Sequence, residues 1–400
     1  MKEGLFSPAY FENPYPYYKH LRDHEPIFND DRIGWMVTRY ADIRALARDA
    51  RLSRGSLETQ RLAGLSDAVQ AAAKPVMNGL NREMMRRDDP DHGRLRALVN
   101  KAFTTDMVTR LRPRIQQLID DLLNRIQSQR WNLLQEFAYP LPALVIMELL
   151  GVPLADRDQL KKWTSDRIAF LGGIRSASDQ LAVAQAAARS AASMDAYFEK
   201  LIAERRKSPR NDLLTVLLAS GQDERLTEPE IIANCSLLLS AGHETTTNLI
   251  GNGVLALLQN PQQMNAMRDN PQHTANAVEE LLRFDCPVQL APRAATADID
   301  IGTVRMGEGD RVMLMLGSAN RDPDQFTDPD TLDLERLSTN HLSFGFDRHF
   351  CLGAHLARAE AELAFRTLLA RFPRIELDGA PVWTRNIAYR GMSELFIRVS

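Results

Sequence analysis

The stretch His341-Leu342-Ser343-Phe344-Gly345-Phe346-Asp347-Arg348-His349-Phe350-Cys351-Leu352-Gly353 decides how this chain is read. A cysteine stands between two glycines, at the start of an amphipathic segment expected to be helical from Leu352 to Phe372. A helix N-terminus presents free N–H groups and the positive end of the helix dipole, both of which favour a thiolate. Gly353 has no Cβ, so a flat ligand can approach the backbone closely. As a lone cysteine, Cys351 reads equally well as a structural thiol in a glycine-rich turn, so the rest of the chain has to decide.

The bulk composition narrows the choices. The 400 residues carry a formal net charge of −3, with 44% hydrophobic and 25% charged residues, the mix of a folded globular chain. The charge argues against non-specific nucleic-acid binding, which needs a basic balance. Cys235, Cys286 and Cys351 are odd in number and far apart, with no CxxC pair, so neither a disulfide framework nor a zinc site is implied. A reducing, cytoplasmic setting is expected. The N-terminus is too polar and proline-rich for a signal peptide, and no apolar run reaches the roughly 18–20 residues that span a bilayer, so no membrane anchor is expected.

Helical periodicity dominates. Helices are expected over Ala41–Asp49, Arg94–Phe103, Val108–Gln127, Leu141–Leu150, Leu181–Arg206, Asn211–Leu218, Glu228–Gln259 and Thr274–Arg283, besides the segment after Cys351. Strands are expected at Gly34–Tyr40, Ile299–Arg305, Arg311–Leu316 and within Arg374–Val399. The pattern is that of a mainly α protein with a small β region built from both ends of the chain, read as a single large domain, 1–400. Ser53–Asp89 shows no clear period and is expected to be a long functional loop.

The helix expected over Glu228–Gln259 is about 32 residues, roughly 48 Å at 1.5 Å per residue. Thr227-x-x-Glu230 is a capping box at its start, and Pro261 marks its end. Its centre reads Ala241-Gly242-His243-Glu244-Thr245-Thr246-Thr247. Glycine costs about 1 kcal/mol against alanine in a helix, and threonine hydroxyls compete for backbone carbonyls, so a bend or opening is expected there. A small residue followed by an acid and an alcohol makes a groove with proton-transfer groups on its wall. On spacing alone, a break in a core helix with Glu244 at the surface is as good a reading.

Together these segments resemble the cytochrome P450 family. Phe344, Gly345, His349, Cys351 and Gly353 match its haem-binding signature, Phe-Gly-x-Gly-x-His/Arg-x-Cys-x-Gly, with Asp347 standing where a second glycine is usual. Asp tolerates a left-handed backbone and can cap N–H groups. Four further motifs occur in the family's order. Asp91-His92-Gly93-Arg94-Leu95-Arg96 resembles His-x-x-x-Arg, whose His and Arg face the haem propionates; by itself it is an ordinary polar helix face. Ala241–Thr247 resembles the oxygen-activation motif, which makes Glu244 and Thr245 the acid–alcohol pair that delivers protons. Glu280-Leu281-Leu282-Arg283 resembles Glu-x-x-Arg, with Arg336 as the second arginine of its network. Arg293 stands where an arginine binds a propionate, and His349 is a further propionate contact.

The resemblance covers essentially the whole chain. It implies the cytochrome P450 fold and a haem-thiolate monooxygenase, with Cys351 as axial ligand to the iron of haem b (iron protoporphyrin IX). It also implies oxidation of a small apolar molecule of the fatty-acyl, polyketide or terpenoid class by dioxygen. Phe137–Asp158, Leu226–Asn260 and Gly317–Phe344 are most similar in texture to the biotin-pathway and macrolide-type members. Met84, Ala241, Val288 and Leu290 are the candidate pocket residues. Met77, Met84 and Met85 either line that pocket or fill core, and Arg82, Arg86 and Arg87 are expected in solvent. No flavin or NAD motif is present, so a separate ferredoxin or flavodoxin with its reductase is expected to supply electrons to a monomer. Arg348, with Arg110, Arg112 and Arg114, is the expected docking face. A peroxide-driven enzyme and a ligand-binding relative without activity are the alternatives; the intact Glu244, Thr245 and Cys351 weigh against both.

Overall fold

The computed structural model describes residues 4–57, 62, 65–101, 103–172, 177–219, 226–337 and 340–400. The chain divides into two compact units that interleave in sequence. One comprises Met1–Leu52, Val108–Pro142 and Glu244–Ser400; the other comprises Ser53–Met107 and Ala143–His243.

The first unit carries strands from both ends of the chain. Ile27–Asp30 pairs antiparallel with Gly34–Val37, which runs parallel to Arg311–Leu314, which in turn pairs antiparallel with Ala291–Ala295. A second sheet joins Arg130–Asn132, Phe396–Val399 and Ile375–Leu377, with Trp131 opposite Ile397. Beside the first sheet, Val37, Ile43, Leu46, Val312, Leu314 and Leu342 form one apolar core, and Leu5, Tyr10, Tyr18, Met36, Leu290 and Met313 form another. The helices Thr274–Phe284 and Ala354–Arg371 pack on each other, and the second of them follows the Cys351 loop.

The second unit is helical. Pro140–Leu150 enters it, followed by Arg157–Leu171, Ala177–Lys207 and Leu213–Leu218. The segment expected as a long loop, Ser53–Asp89, contains a helix at Asp67–Leu80 and a single turn at Met84–Arg86. Pro75 and Gly79 hide that helix from a propensity reading. Its face of Val69, Ala73, Val76, Met77 and Leu80 is buried against Ala184 and Ala187. Burying four of those side chains, at about 1.5–3 kcal/mol each, outweighs the ~3 kcal/mol cost of an interior proline. The expected helix at Arg94–Phe103 begins earlier, at Asp91, and Phe103 lies beyond it.

The long helix is Glu228–Gln259, as expected. Thr227 N–H donates to Glu230 Oε2 at 2.8 Å, and Glu230 N–H donates to Thr227 Oγ1 at 3.4 Å, so the capping box forms. The expected opening at Gly242–Thr247 does not occur; the helix is continuous there. Ser240 Oγ donates to Ser236 O at 2.7 Å and His243 Nδ1 lies 2.7 Å from Leu239 O, so these polar groups bond to carbonyls of their own helix without breaking it. Among the described residues, no helix is long and apolar enough to cross a membrane.

Candidate functional site

The Cys351 loop is built from backbone turns. Cys351 N–H donates to Phe344 O at 2.7 Å, and Gly345 N–H donates to Leu342 O at 2.8 Å. Gly345 has φ +69, the left-handed region that glycine enters at no steric cost. Asp347 adopts φ +51, so it takes the left-handed backbone expected for it, and Phe350 N–H donates to its carbonyl. Its carboxylate is tied to Arg48 Nε at 3.2 Å rather than to N–H groups of the loop. The helix begins at Ala354, two residues later than the sequence pattern suggests, with Gly353 as its N-cap. Ala354 N–H then donates to Cys351 O at 3.4 Å.

The three cysteines differ in chemistry. Cys235 and Cys286 are buried, and burial pushes both thiols up to about 12, so neither is a thiolate at neutral pH. Cys351 is exposed. A Cβ added at Gly353 would meet nothing within 4 Å, so the backbone beside the thiol is open to a flat partner. Among the described residues no group of three or more His, Cys, Asp or Glu is arranged to hold a metal ion. Cys351 offers a single soft sulfur donor, of the kind that would suit a haem iron.

The other expected site residues fall as follows. In the first unit, Arg293 lies on strand Ala291–Ala295, mostly buried, with Nη1 donating to Pro292 O at 2.9 Å. His349 closes the turn Asp347–His349 and is half-buried. In the second unit, His92 is buried on helix Asp91–Asn100, its Nδ1 3.7 Å from Asp89 Oδ1. Arg96 follows one turn on, half-buried. Leu237–Ser240 and Thr246–Ile250 are buried, yet between them Ala241 is exposed and Gly242, Glu244 and Thr245 are partly so. The long helix is thus continuous but less buried at its centre than on either side. Burial raises the Glu244 carboxyl to about 7, which makes it a proton donor and acceptor in the neutral range.

Glu280, Arg283 and Arg336 meet, as the motif expects. Glu280 accepts from Arg283 Nε and Nη2, both at 2.7 Å, and from Arg336 Nε at 3.1 Å. Arg283 Nη1 donates onward to the carbonyls of Asn320 at 2.9 Å and Pro329 at 2.8 Å. Of the pocket candidates, Met84 is buried, with its N–H donating to Asn234 Oδ1 at 3.0 Å, and Val288 is half-buried and bridged to Tyr389. Leu290 packs in the apolar core with Tyr10, Tyr18 and Met313.

Arg86 is not in solvent. It is buried, with Nε 3.1 Å from Glu83 Oε2, and Arg167 also pairs with Glu83. Burial raises Glu83 to about 7 against the pull of Arg167. Of the expected docking arginines, Arg348 and Arg110 are exposed, while Arg112 makes a two-pronged pair with Glu362 at 2.7 and 3.0 Å. The sequence reading missed a second acid network. Glu279, next to Glu280, accepts from Arg358 Nε at 2.6 Å and Nη2 at 2.8 Å, and lies 3.3 Å from His341 Nε2. Adjacent glutamates on an amphipathic helix were the available signal.

The family model described as cytochrome P450 matches residues 176–387. The chain is 39% identical over 381 residues to the biotin biosynthesis cytochrome P450 of Bacillus subtilis (strain 168), covering 93% of this chain and 92% of that relative. It is 36% identical over 416 residues to the polyketide biosynthesis cytochrome P450 PksS of the same organism, covering all of both chains. The solved structure of P450BioI in complex with hexadec-9Z-enoic acid ligated acyl carrier protein superposes with a TM-score of 0.90 at 38% identity, over 98% of this chain and 100% of that one.

Proposed function

The chain belongs to the cytochrome P450 family, whose monooxygenases use a haem iron, small-molecule substrates and redox partners, and from that premise we propose the residues and the substrate class through which it works. Cys351 is the thiolate ligand of a haem b. His92, Arg96, Arg293 and His349 hold the propionates; arginine suits a carboxylate because its guanidinium can bind both oxygens. The observation that carries this reading is that Cys351, alone among three cysteines, is exposed, in a loop closed by its own N–H on Phe344 O.

Bound there, the haem supplies dioxygen activation and transfer of one oxygen atom to a C–H bond or alkene. The chain supplies protons and position. Glu244, raised to about 7 by burial, can hold a proton near neutral pH, and with the Thr245 hydroxyl and water it would deliver protons to the exposed centre of the helix. Ala241 leaves room at the exposed centre of the helix, and Met84 and Val288 supply apolar surface for the substrate. A fatty-acyl or polyketide-like chain is the proposed substrate, supported by the likeness to a biotin-pathway and a polyketide-pathway enzyme and to a structure holding an acyl carrier protein. The electrons come from a ferredoxin or flavodoxin, and the exposed Arg348 is its proposed contact. We read the chain as one cytochrome P450 domain, because relatives align along its full length.

The test is a carbon monoxide difference spectrum of the reduced protein. Wild type, Cys235→Ala and Cys286→Ala give the band at the thiolate-ligated position and Cys351→Ala does not. A Cys351→Ala protein that retains the band overturns the assignment. Titration with long-chain acids, free and on acyl carrier protein, for the spectral shift of water displacement tests the substrate class.

A further inference from the structure

Two neighbouring glutamates on helix Thr274–Phe284 serve different networks. Glu280 turns to Arg283 and Arg336. Glu279 turns to the helix that follows the cysteine loop, where both its oxygens accept from Arg358, and to His341 at the head of that loop. The His341 Nδ1 accepts the N–H of Ser343 at 3.2 Å, which leaves its proton on Nε2, facing Glu279. The same Arg358 guanidinium lies over the Phe344 ring, 4.5 Å from its centroid, and His341 packs on that ring at 5.9 Å. Phe344 in turn accepts the Cys351 N–H through its carbonyl. A cation over an aromatic face is held by the ring quadrupole and by whatever fixes the cation; here that is Glu279.

We propose that Glu279 is a positioning residue for the thiolate ligand: with Arg358 and His341 it clasps Phe344 and the cysteine loop, and it cancels the arginine charge behind the iron site. The proposal rests on the haem-thiolate reading. Three features support it. The Arg358 contact to Glu279 is two-pronged, which fixes direction as well as distance. Burial alone would raise Glu279, yet the hydrogen bonds from Arg358 and His341 outweigh it and hold the carboxyl at about 2, so the charge is present at every working pH. The clasp is anchored at its far end, because Ser343 Oγ donates to Leu282 O at 2.7 Å and accepts from Asn320 Nδ2 at 2.8 Å. The loop therefore moves only if this helix does.

The charge argument fixes signs. Reducing the iron adds an electron, so removing a nearby carboxylate favours the reduced form and removing a nearby guanidinium disfavours it. The experiment is a redox titration of the haem-loaded protein, following the Soret band, for wild type, Glu279→Gln, Arg358→Gln and the double variant. At fixed poise Glu279→Gln raises the reduced-to-oxidised ratio about threefold or more, Arg358→Gln lowers it by a similar factor, and the double variant returns close to wild type. A threefold change corresponds to about 28 mV at 59 mV per tenfold for one electron. A network that only braces the fold would move both single variants the same way and the double variant further. That pattern, or single variants that titrate like wild type, overturns the proposal. The reduced carbon monoxide spectrum of wild type separates the two levels: without a thiolate band the haem-thiolate reading itself fails, whereas a normal band with unmoved ratios defeats the Glu279 assignment alone.

Discussion

Arg48 Nε lies 3.2 Å from Asp347 Oδ2, and this ion pair ties the cysteine loop to the turn after helix Tyr40–Leu46. Asp347 occupies a position with φ +51 that the family pattern gives to glycine. Aspartate meets the backbone requirement at a modest cost, and its side chain gains a partner that glycine would lack. Both ends of the pair are substantially exposed, so it contributes at most about 1 kcal/mol.

It follows that Asp347→Gly changes stability little, within about 1 kcal/mol, because relief of the left-handed conformation offsets the lost pair. Asp347→Val keeps neither the pair nor the tolerance for φ +51, and is expected to cost about 2 kcal/mol. Urea unfolding of the two variants beside wild type checks this; equal losses would mean the ion pair, not the backbone, governs the position.

The proton-delivery role proposed for Glu244 would tie turnover to pH. Its carboxyl is raised by burial to about 7, so the proton-carrying form is half-populated near pH 7, fills below it and empties above it. Turnover with a redox partner is expected to fall as pH rises through about 7. Glu244→Gln is expected to cut kcat by about 100-fold, the range of a lost proton donor, and to flatten that limb. A variant with the same pH profile as wild type would remove Glu244 from proton delivery.

The same residue affects folding with a definite sign. The unfolded carboxyl ionises near 4.5 and the folded one near 7, so the native state binds the extra proton between those values. Stability contributed by that proton is complete below about 4.5 and is lost as pH rises to about 7. Glu244→Gln is expected to be more stable than wild type at pH 8, by about 3 kcal/mol at 1.36 kcal/mol per pH unit, and equal to it at pH 4. Thermal unfolding at the two pH values checks it.

Glu360 repeats the pattern where no function is assigned. It is buried on the helix after the cysteine loop, Oε2 has no hydrogen-bond partner among the described residues, and burial holds the carboxyl well above its usual range. The shift favours the neutral form in the folded protein, and Glu360→Gln keeps the shape without the cost of desolvating an ionisable group. The variant is expected to be more stable than wild type above pH 7 and to keep the wild-type haem spectrum. A less stable Glu360→Gln would show that a charged Glu360 is part of the native structure.

The buried Glu280 network behaves oppositely. Arg283→Ala leaves the Glu280 carboxylate without its main partner in the core, along with the carbonyls of Asn320 and Pro329. Breaking a buried pair from one side costs about 3–5 kcal/mol, so this variant is expected to fold poorly or lose haem on purification. A normal yield of haem-loaded Arg283→Ala would contradict that.

Read alone, the sequence located the long helix to its ends, because Thr227, Glu230 and Pro261 are local signals whose physics acts within a turn of the helix. Cys351, Glu244 and the Glu280–Arg283–Arg336 set were named through the resemblance to a family pattern, because local spacing by itself left each of them a second, structural reading. The sequence also anticipated the left-handed Asp347, since backbone tolerance belongs to the residue type. Tertiary structure decided the rest. The helix Asp67–Leu80 exists because burial against Ala184 and Ala187 overrides Pro75, a contact across more than 100 residues that local propensity does not contain. Arg86 is buried because Glu83 and its neighbours compensate it, and a charge in sequence carries no record of its partner. Glu279 and Glu280 are chemically identical neighbours. Which one meets Arg336 and which meets Arg358 was set by how helices 274–284 and 354–371 pack, about 100° of helix rotation apart per residue. The same holds for the acidity of Glu244: its place in the motif was visible in the sequence, but the shift to about 7 comes from desolvation, which only packing produces.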